Sequence, residues 1–274
     1  MIVIDNLWFG YHQKKPVLKG INLCIGEGEL TFILGDNGSG KTTLLKHLNG
    51  LLKPNEGTVE VDGLDTRTTP VSELARKISI VFQQPEKMFY SPTVEEEVIN
   101  TLSNFNLRIS RREIINLLKE YGLEQYLDGS PYNLSGGEQR ILTIAIMNSW
   151  NPKYLVLDEP TVGLDGIYRE KLRILIGNRL EKGYTTIVAT HDIEFALLFN
   201  AKLVVIHDGR IVYEGHTYDL INNKVVDKYG LILPTYSKAL HMMYKKGILT
   251  DVRDYCGVFS EISVEVYRRC IDSH

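Results

Sequence analysis

The residues able to do chemistry are scattered along the chain, and the densest group is Gly35-Asp-Asn-Gly-Ser-Gly-Lys41-Thr42. It fits G-x-x-x-x-G-K-[ST], the pattern of a loop that wraps phosphate groups. The glycines Gly35, Gly38 and Gly40 let the backbone curl close around a ligand. Backbone amides from Asn37 and Ser39 through Thr43 then form a nest at the start of a helix, whose positive dipole end favours an anion. Lys41 is placed to reach β and γ phosphates, and the Thr42 hydroxyl to hold Mg²⁺. A plain Gly-rich turn would read alike in isolation. The apolar run Leu30–Leu34 before it and Thr43-Leu-Leu-Lys-His-Leu48 after it favour a nucleotide site.

Further groups lie far away in sequence. Asp158-Glu159 follows the continuous apolar run Tyr154-Leu-Val-Leu157, and the carboxyl ends of such strands are where open α/β sheets bind ligands. Asp158 suits Mg²⁺, and Glu159 suits orienting or deprotonating water; alone, the pair would read as a turn and helix cap. With Lys41 it completes a phosphoryl-transfer set. His191 ends another apolar run, Thr185–Ala189, where a terminal phosphate would sit, although a lone histidine there is often incidental. Ser135-Gly136-Gly137-Glu138 fits a capping box. Two glycines in a first helical turn cost about 1 kcal/mol each relative to alanine, so bare amides for a second anion explain them better than a cap alone. Tyr11, in a polar loop, reads equally as a surface residue or as a platform for a base.

These groups need elements to hold them. Ile2–Ile4, Leu7–Phe9, Val17-Leu18 and Ile21–Ile25 read as strands with hairpin-like spacing, an antiparallel β portion. Thr58–Val61, Ile78–Phe82, Tyr154–Leu157, Thr185–Ala189, Leu203–Ile206 and Arg210–Tyr213 read as further strands, the last two joined through the turn Asp208-Gly209. A short helix is predicted over Val71–Lys77, and longer ones over Thr93–Leu102, Ser110–Tyr121, Ser135 to about Trp150, and Gly166–Lys182. From Pro85 to about Trp150 the chain lacks strand character, which predicts a helical subdomain inserted into an α/β body. That body is expected to close near Gly215. The stretch Tyr218–His274 reads as amphipathic helices, a packing or dimerisation appendage.

Composition is compatible with this. A chain of 274 residues with 43% hydrophobic content supports a sizeable core. A net charge of -3 argues against nucleic-acid binding dominated by phosphate contacts. Cys24, Cys256 and Cys270 lack metal spacing and read as reduced thiols of a cytosolic protein. No stretch approaches the ~18 apolar residues of a membrane span, so any membrane role is expected to come through a partner.

Taken in order, the motifs resemble the ATPase subunit of ATP-binding cassette (ABC) systems over residues 1–215. Gly35–Thr42 resembles the Walker A loop, Gln83 the Q-loop glutamine, Leu134–Glu138 the signature motif, and Leu155–Asp158 with Glu159 the Walker B strand and catalytic glutamate. Gly163-Leu-Asp165 is similar to the D-loop, His191 to the switch histidine and Tyr11 to the adenine-stacking aromatic. The resemblance implies an α/β fold: a P-loop NTPase core with an antiparallel β subdomain, an inserted helical subdomain and a small helical C-terminal extension (216–274). It implies ATP and Mg²⁺, the metal held by Thr42, Gln83 and Asp158. It also implies a head-to-tail pair in which Ser135, Gly136, Gly137, Glu138 and Asp165 meet the nucleotide of a second subunit.

Phe82–Glu86 continuing to Phe89–Val98, with the appended C-terminal region, resembles the energy-coupling-factor group, importers of vitamins and of cobalt or nickel ions. That implies a transmembrane scaffold protein and a membrane substrate-binding subunit as partners, at the cytoplasmic face of the membrane. Met88 stands where that group commonly has glutamine, Glu138 where the signature commonly has glutamine, and Ile141 where an arginine usually follows. The alternative is an ABC ATPase outside transport, in translation, DNA repair or iron–sulfur cluster assembly; one cassette, no sustained heptads and the long appendage speak against it.

Overall fold

The computed structural model describes residues 1–12, 15–84 and 87–222, together with Met242. Two sheets carry the molecule. In the first, β1 (Ile2–Phe9) pairs antiparallel with β2 (Leu18–Ile25). The apolar segments at its two ends form one strand rather than two. Its register shifts between Ile4 and Leu7, where Asn6 takes φ 45°, and that irregularity breaks the alternation.

Next come β3 (Leu30–Leu34) and α1 (Lys41–Leu48), then β4 (Glu56–Val61) and β5 (Leu64–Asp65), which complete the antiparallel sheet in the order β2-β1-β4-β5. A short α2 (Val71–Leu74) leads into β6 (Ile78–Val81).

The helical portion contains α3 (Val94–Ser103), α4 (Arg111–Glu120) and α5 (Gly136–Asn148), and no strand is found among the described residues from 87 to 150. Each helix starts where a hydroxyl can cap it. Thr93 Oγ1 accepts from the Glu96 amide, and Ser110 and Ser135 form full capping boxes with Glu113 and Glu138.

The chain returns through β7 (Tyr154–Asp158), α6 (Gly166–Glu181), β8 (Thr185–Thr190), α7 (Ile193–Ala196), the β9 (Lys202–His207) and β10 (Arg210–His216) hairpin, and α8 (Asp219–Asn222). The expected helices beyond α8 lie outside the described residues.

The second sheet has the order β10-β9-β3-β8-β7-β6, parallel except for the β9–β10 hairpin. Strands β3, β7 and β8 are buried throughout, which is why their sequences run apolar rather than alternating. They divide two cores. Phe32, Leu34, Leu155, Leu157 and Val188 face a cluster shared with the helical portion, whereas Ile33, Val156, Ile187 and Ala189 join α1 and the antiparallel sheet.

The strand order matters most for function. Gly35 follows β3, His191 follows β8, Asp158-Glu159 closes β7, and Gln83 follows β6 by one residue. These four strands are neighbours, so residues up to 156 positions apart arrive together at the carboxyl ends of one sheet's strands.

Candidate nucleotide site

The phosphate loop is shaped by close backbone approach. A Cβ on Gly35 would lie 2.2 Å from the Ile206 carbonyl and 2.7 Å from Ser39 Oγ, so the loop presses on β9. Gly40 sits at the N-cap of α1 with φ 110°, and no side chain caps that helix. Its first turn carries no acidic residue, leaving the amides and positive dipole end open to an anion.

Lys41 and Thr42 tie this loop to β7. Lys41 Nζ donates to the carbonyls of Gly35 at 2.6 Å and Asp36 at 3.3 Å, and lies 3.3 Å from Glu159 Oε1. Thr42 Oγ1 donates to Asp158 Oδ2 at 2.6 Å. Asp158 Oδ1 is buried and has no hydrogen-bond partner. Burial pushes the Asp158 carboxyl above the usual carboxylate range; the Thr42 bond opposes this and the nearby Glu159 charge adds to it. An unsatisfied buried carboxylate oxygen next to a threonine hydroxyl fits a hard cation that takes oxygen ligands and keeps phosphate and water in its shell.

Glu159 is 4% exposed and heavily oriented. Oε2 accepts from Thr190 Oγ1 at 3.0 Å and the His191 amide at 3.3 Å, and lies 2.9 Å from His191 Nδ1. The Glu159 amide donates to the Ala189 carbonyl at 2.8 Å, and its backbone takes φ 50°, a conformation glutamate adopts only under constraint. The His191 side chain remains 55% exposed. A cleft of about 370 Å³ is lined by Asn37, Gly38, Lys41, Thr42, Gln83 and Glu159 among others. Tyr11 stands beside Thr43, with its hydroxyl 3.3 Å from Thr43 Oγ1 and its ring edge-on to Phe9.

The remaining candidates gather elsewhere. Ser135, Gly136, Gly137, Asp165 and Tyr168 line a second cleft of about 370 Å³, which shares no lining residue with the first. Glu138 Oε2 accepts from the Ser135 amide at 2.8 Å and Oε1 from the Tyr126 hydroxyl at 2.6 Å. Burial pushes the Glu138 carboxyl upward, but the bonds from Tyr126 and Ser135 outweigh it and hold it below the ordinary value. A Cβ on Gly136 would meet nothing within 4 Å, leaving its amide approachable. Asp165 caps α6, its Oδ1 accepting from the Tyr168 amide at 2.9 Å.

Sequence reasoning missed Arg140. Its guanidinium donates to the Glu159 carbonyl at 2.9 Å and the Gln83 carbonyl at 2.8 Å, and the residue is 6% exposed. The available signal was the arginine standing one place before Ile141, which is itself fully buried in the core.

The sheet order and the phosphate loop facing two acidic residues define a nucleotide-hydrolysing α/β domain. Comparison with known proteins makes this specific. The ABC transporter family model matches residues 18–162. The energy-coupling factor transporter ATP-binding protein EcfA of Methanosphaera stadtmanae is 35% identical over 91% of this chain and 92% of its own. Among solved structures, CbiO1 of Clostridium perfringens, described as part of the ABC transporter complex CbiONQ, is 34% identical. It superposes with a TM-score of 0.70 over 87% of this chain and 98% of its own. An ATP-binding cassette solved as a dimer in a post-hydrolysis state with ADP and Pi is 32% identical, with a TM-score of 0.71 over 79% and 99% of the two chains.

The chain belongs to the ABC transporter family, as an ATP-hydrolysing subunit. No helix among the described residues is long and apolar enough to cross a membrane.

Proposed function

We propose that two ATPase subunits close head to tail, so that each ATP lies between the phosphate loop of one and the Ser135–Glu138 turn of the other, with Asp165 alongside. The observation that carries this reading is the separation of the two clefts within one chain: open glycine amides at the α5 terminus line a different cavity from Lys41. A second subunit supplies the missing half. Lys41 and the loop amides hold the phosphates, Tyr11 stacks on the base, and Thr42, Asp158 and Gln83 hold Mg²⁺. The metal, when bound, neutralises charge on the phosphate oxygens. Glu159, aligned by Thr190 and His191, directs the attacking water, and His191 steadies the terminal phosphate. Loss of γ-phosphate contacts reopens the pair.

The energy released drives a membrane importer of the energy-coupling-factor type for a micronutrient, a metal ion or a vitamin. The subunit sits at the cytoplasmic face beneath a scaffold protein and a substrate-binding membrane protein, with residues 1–215 as the cassette and 216–274 as a dimerisation appendage. The relatives' names support this assignment. The test is Glu159→Gln, which keeps nucleotide binding and removes water activation. It should trap an ATP-bound dimer on size exclusion with turnover lowered by about 10²-fold or more. Unchanged turnover would remove Glu159 from this role. Co-purification with soluble assembly factors or ribosomes instead of membrane proteins would overturn the import reading.

A further inference from the structure

We infer that Arg140 is a positioning residue that ties the water-directing end of one nucleotide site to the signature turn serving the other. The inference rests on the head-to-tail arrangement proposed above. Arg140 lies in the second turn of α5 and lines the second cleft with Ser135, Gly136 and Gly137. Its guanidinium reaches the other way, Nη1 donating to the Glu159 carbonyl at 2.9 Å and Nη2 to the Gln83 carbonyl at 2.8 Å. Both acceptors are backbone atoms of residues whose side chains border the phosphate cleft.

The geometry is demanding. The planar guanidinium fork sets the two carbonyls at a fixed separation. Glu159 also holds a left-handed backbone, φ 50°, pinned on one side by the hydrogen bond its N–H donates to the Ala189 carbonyl and on the other by the one its carbonyl accepts from Arg140. A movement of α5 as its glycine amides engage the partner's nucleotide is therefore passed to Glu159 and Gln83 of the same chain. Closure at one site sets the hydrolytic geometry of the other, through a physical contact rather than by proximity alone.

Mixed dimers of differently tagged full chains test this. In each, one chain carries Glu159→Gln, so a single site turns over Mg-ATP. Arg140→Met is then placed either in the chain with intact Glu159 or in its Glu159→Gln partner. In the first placement kcat should fall about 10- to 100-fold, as misplacing a reacting group by about an ångström does, with KM for ATP within about twofold. The partner placement should leave most of that loss absent. Arg140→Lys, which reaches one carbonyl, should recover part of the rate in the first placement. Equal loss in both placements would mean damage to the signature turn, and no loss in either would mean an idle contact; each overturns the proposal. If the methionine variant fails to fold, the lysine variant carries the same two-placement comparison. Wild-type chains that never pair on ATP would bring down the head-to-tail reading first, and the proposal with it, before any Arg140 variant is compared.

Discussion

Asp158, a metal ligand in the function we propose, shows how such a residue can work against the fold that holds it. Its carboxyl is buried, one oxygen is unpartnered, and its folded-state pKa is raised above the reference value of 3.8. A raised carboxylate pKa means that folding opposes the charged form, so the penalty is full above the folded-state pKa and gone below the unfolded one. Asp158→Asn should therefore raise the melting temperature of the nucleotide-free protein at pH 7. A gain of about 1 kcal/mol corresponds to roughly 2–4 °C at this chain size. The advantage should vanish as the pH drops toward 3.8, and Mg-dependent hydrolysis should be lost throughout. Scanning fluorimetry across pH with a parallel phosphate-release assay checks both halves. At this scale the local motifs were readable because each chemical group follows its own strand or opens its own helix. The contacts among them were not: nothing in local spacing announces that Thr42 donates to Asp158, or that Arg140 spans Glu159 and Gln83.

Among elements, the cap of α5 combines a structural role with the nucleotide-facing one proposed above. The carboxylate of Glu138 returns to the Ser135 amide and also receives the Tyr126 hydroxyl. Glu138→Ala should cost about 0.3–1.5 kcal/mol, the usual worth of one such capping element, and weaken ATP-driven pairing with it. Because the Glu138 pKa is lowered from its reference of 4.5, its contribution is present above that value and fades as the pH falls through the folded-state pKa. The difference in melting temperature between wild type and Glu138→Ala should narrow on acidification from pH 7 to 3; a constant gap would contradict the charge-dependent part. The capping box was legible from Ser135-x-x-Glu138. The Tyr126 contribution was not, since it comes from the short 3-10 turn Glu124–Tyr126, whose packing leaves no periodic signature. For the same reason β1 read as two strands, because a single left-handed residue, Asn6, interrupts the alternation.

For the whole molecule, the two separate clefts make a geometric prediction. Asn37 lines the first and Gly136 the second, and a Cβ on Gly136 meets no neighbour. With Cys24, Cys256 and Cys270 changed to serine, Asn37→Cys and Gly136→Cys in one chain should form an intermolecular disulfide with Mg-ATP bound. Without nucleotide, or in Lys41→Ala, the bridge should not form. A monomer that closes the same bridge internally would contradict the head-to-tail arrangement. The α/β body and its helical portion could be read from texture, namely apolar runs giving way to capped helices. The order β10-β9-β3-β8-β7-β6 could not, because pairing between distant strands depends on register and packing that no local pattern records.

The partition made by that sheet bears on how the protein comes apart. With Phe32 and Ile33 sending their rings and methyls to opposite clusters, loosening one side leaves the other still sealing the central strands. Deuterium should consequently enter the amides of β3, β7 and β8 last, after both coverings have opened.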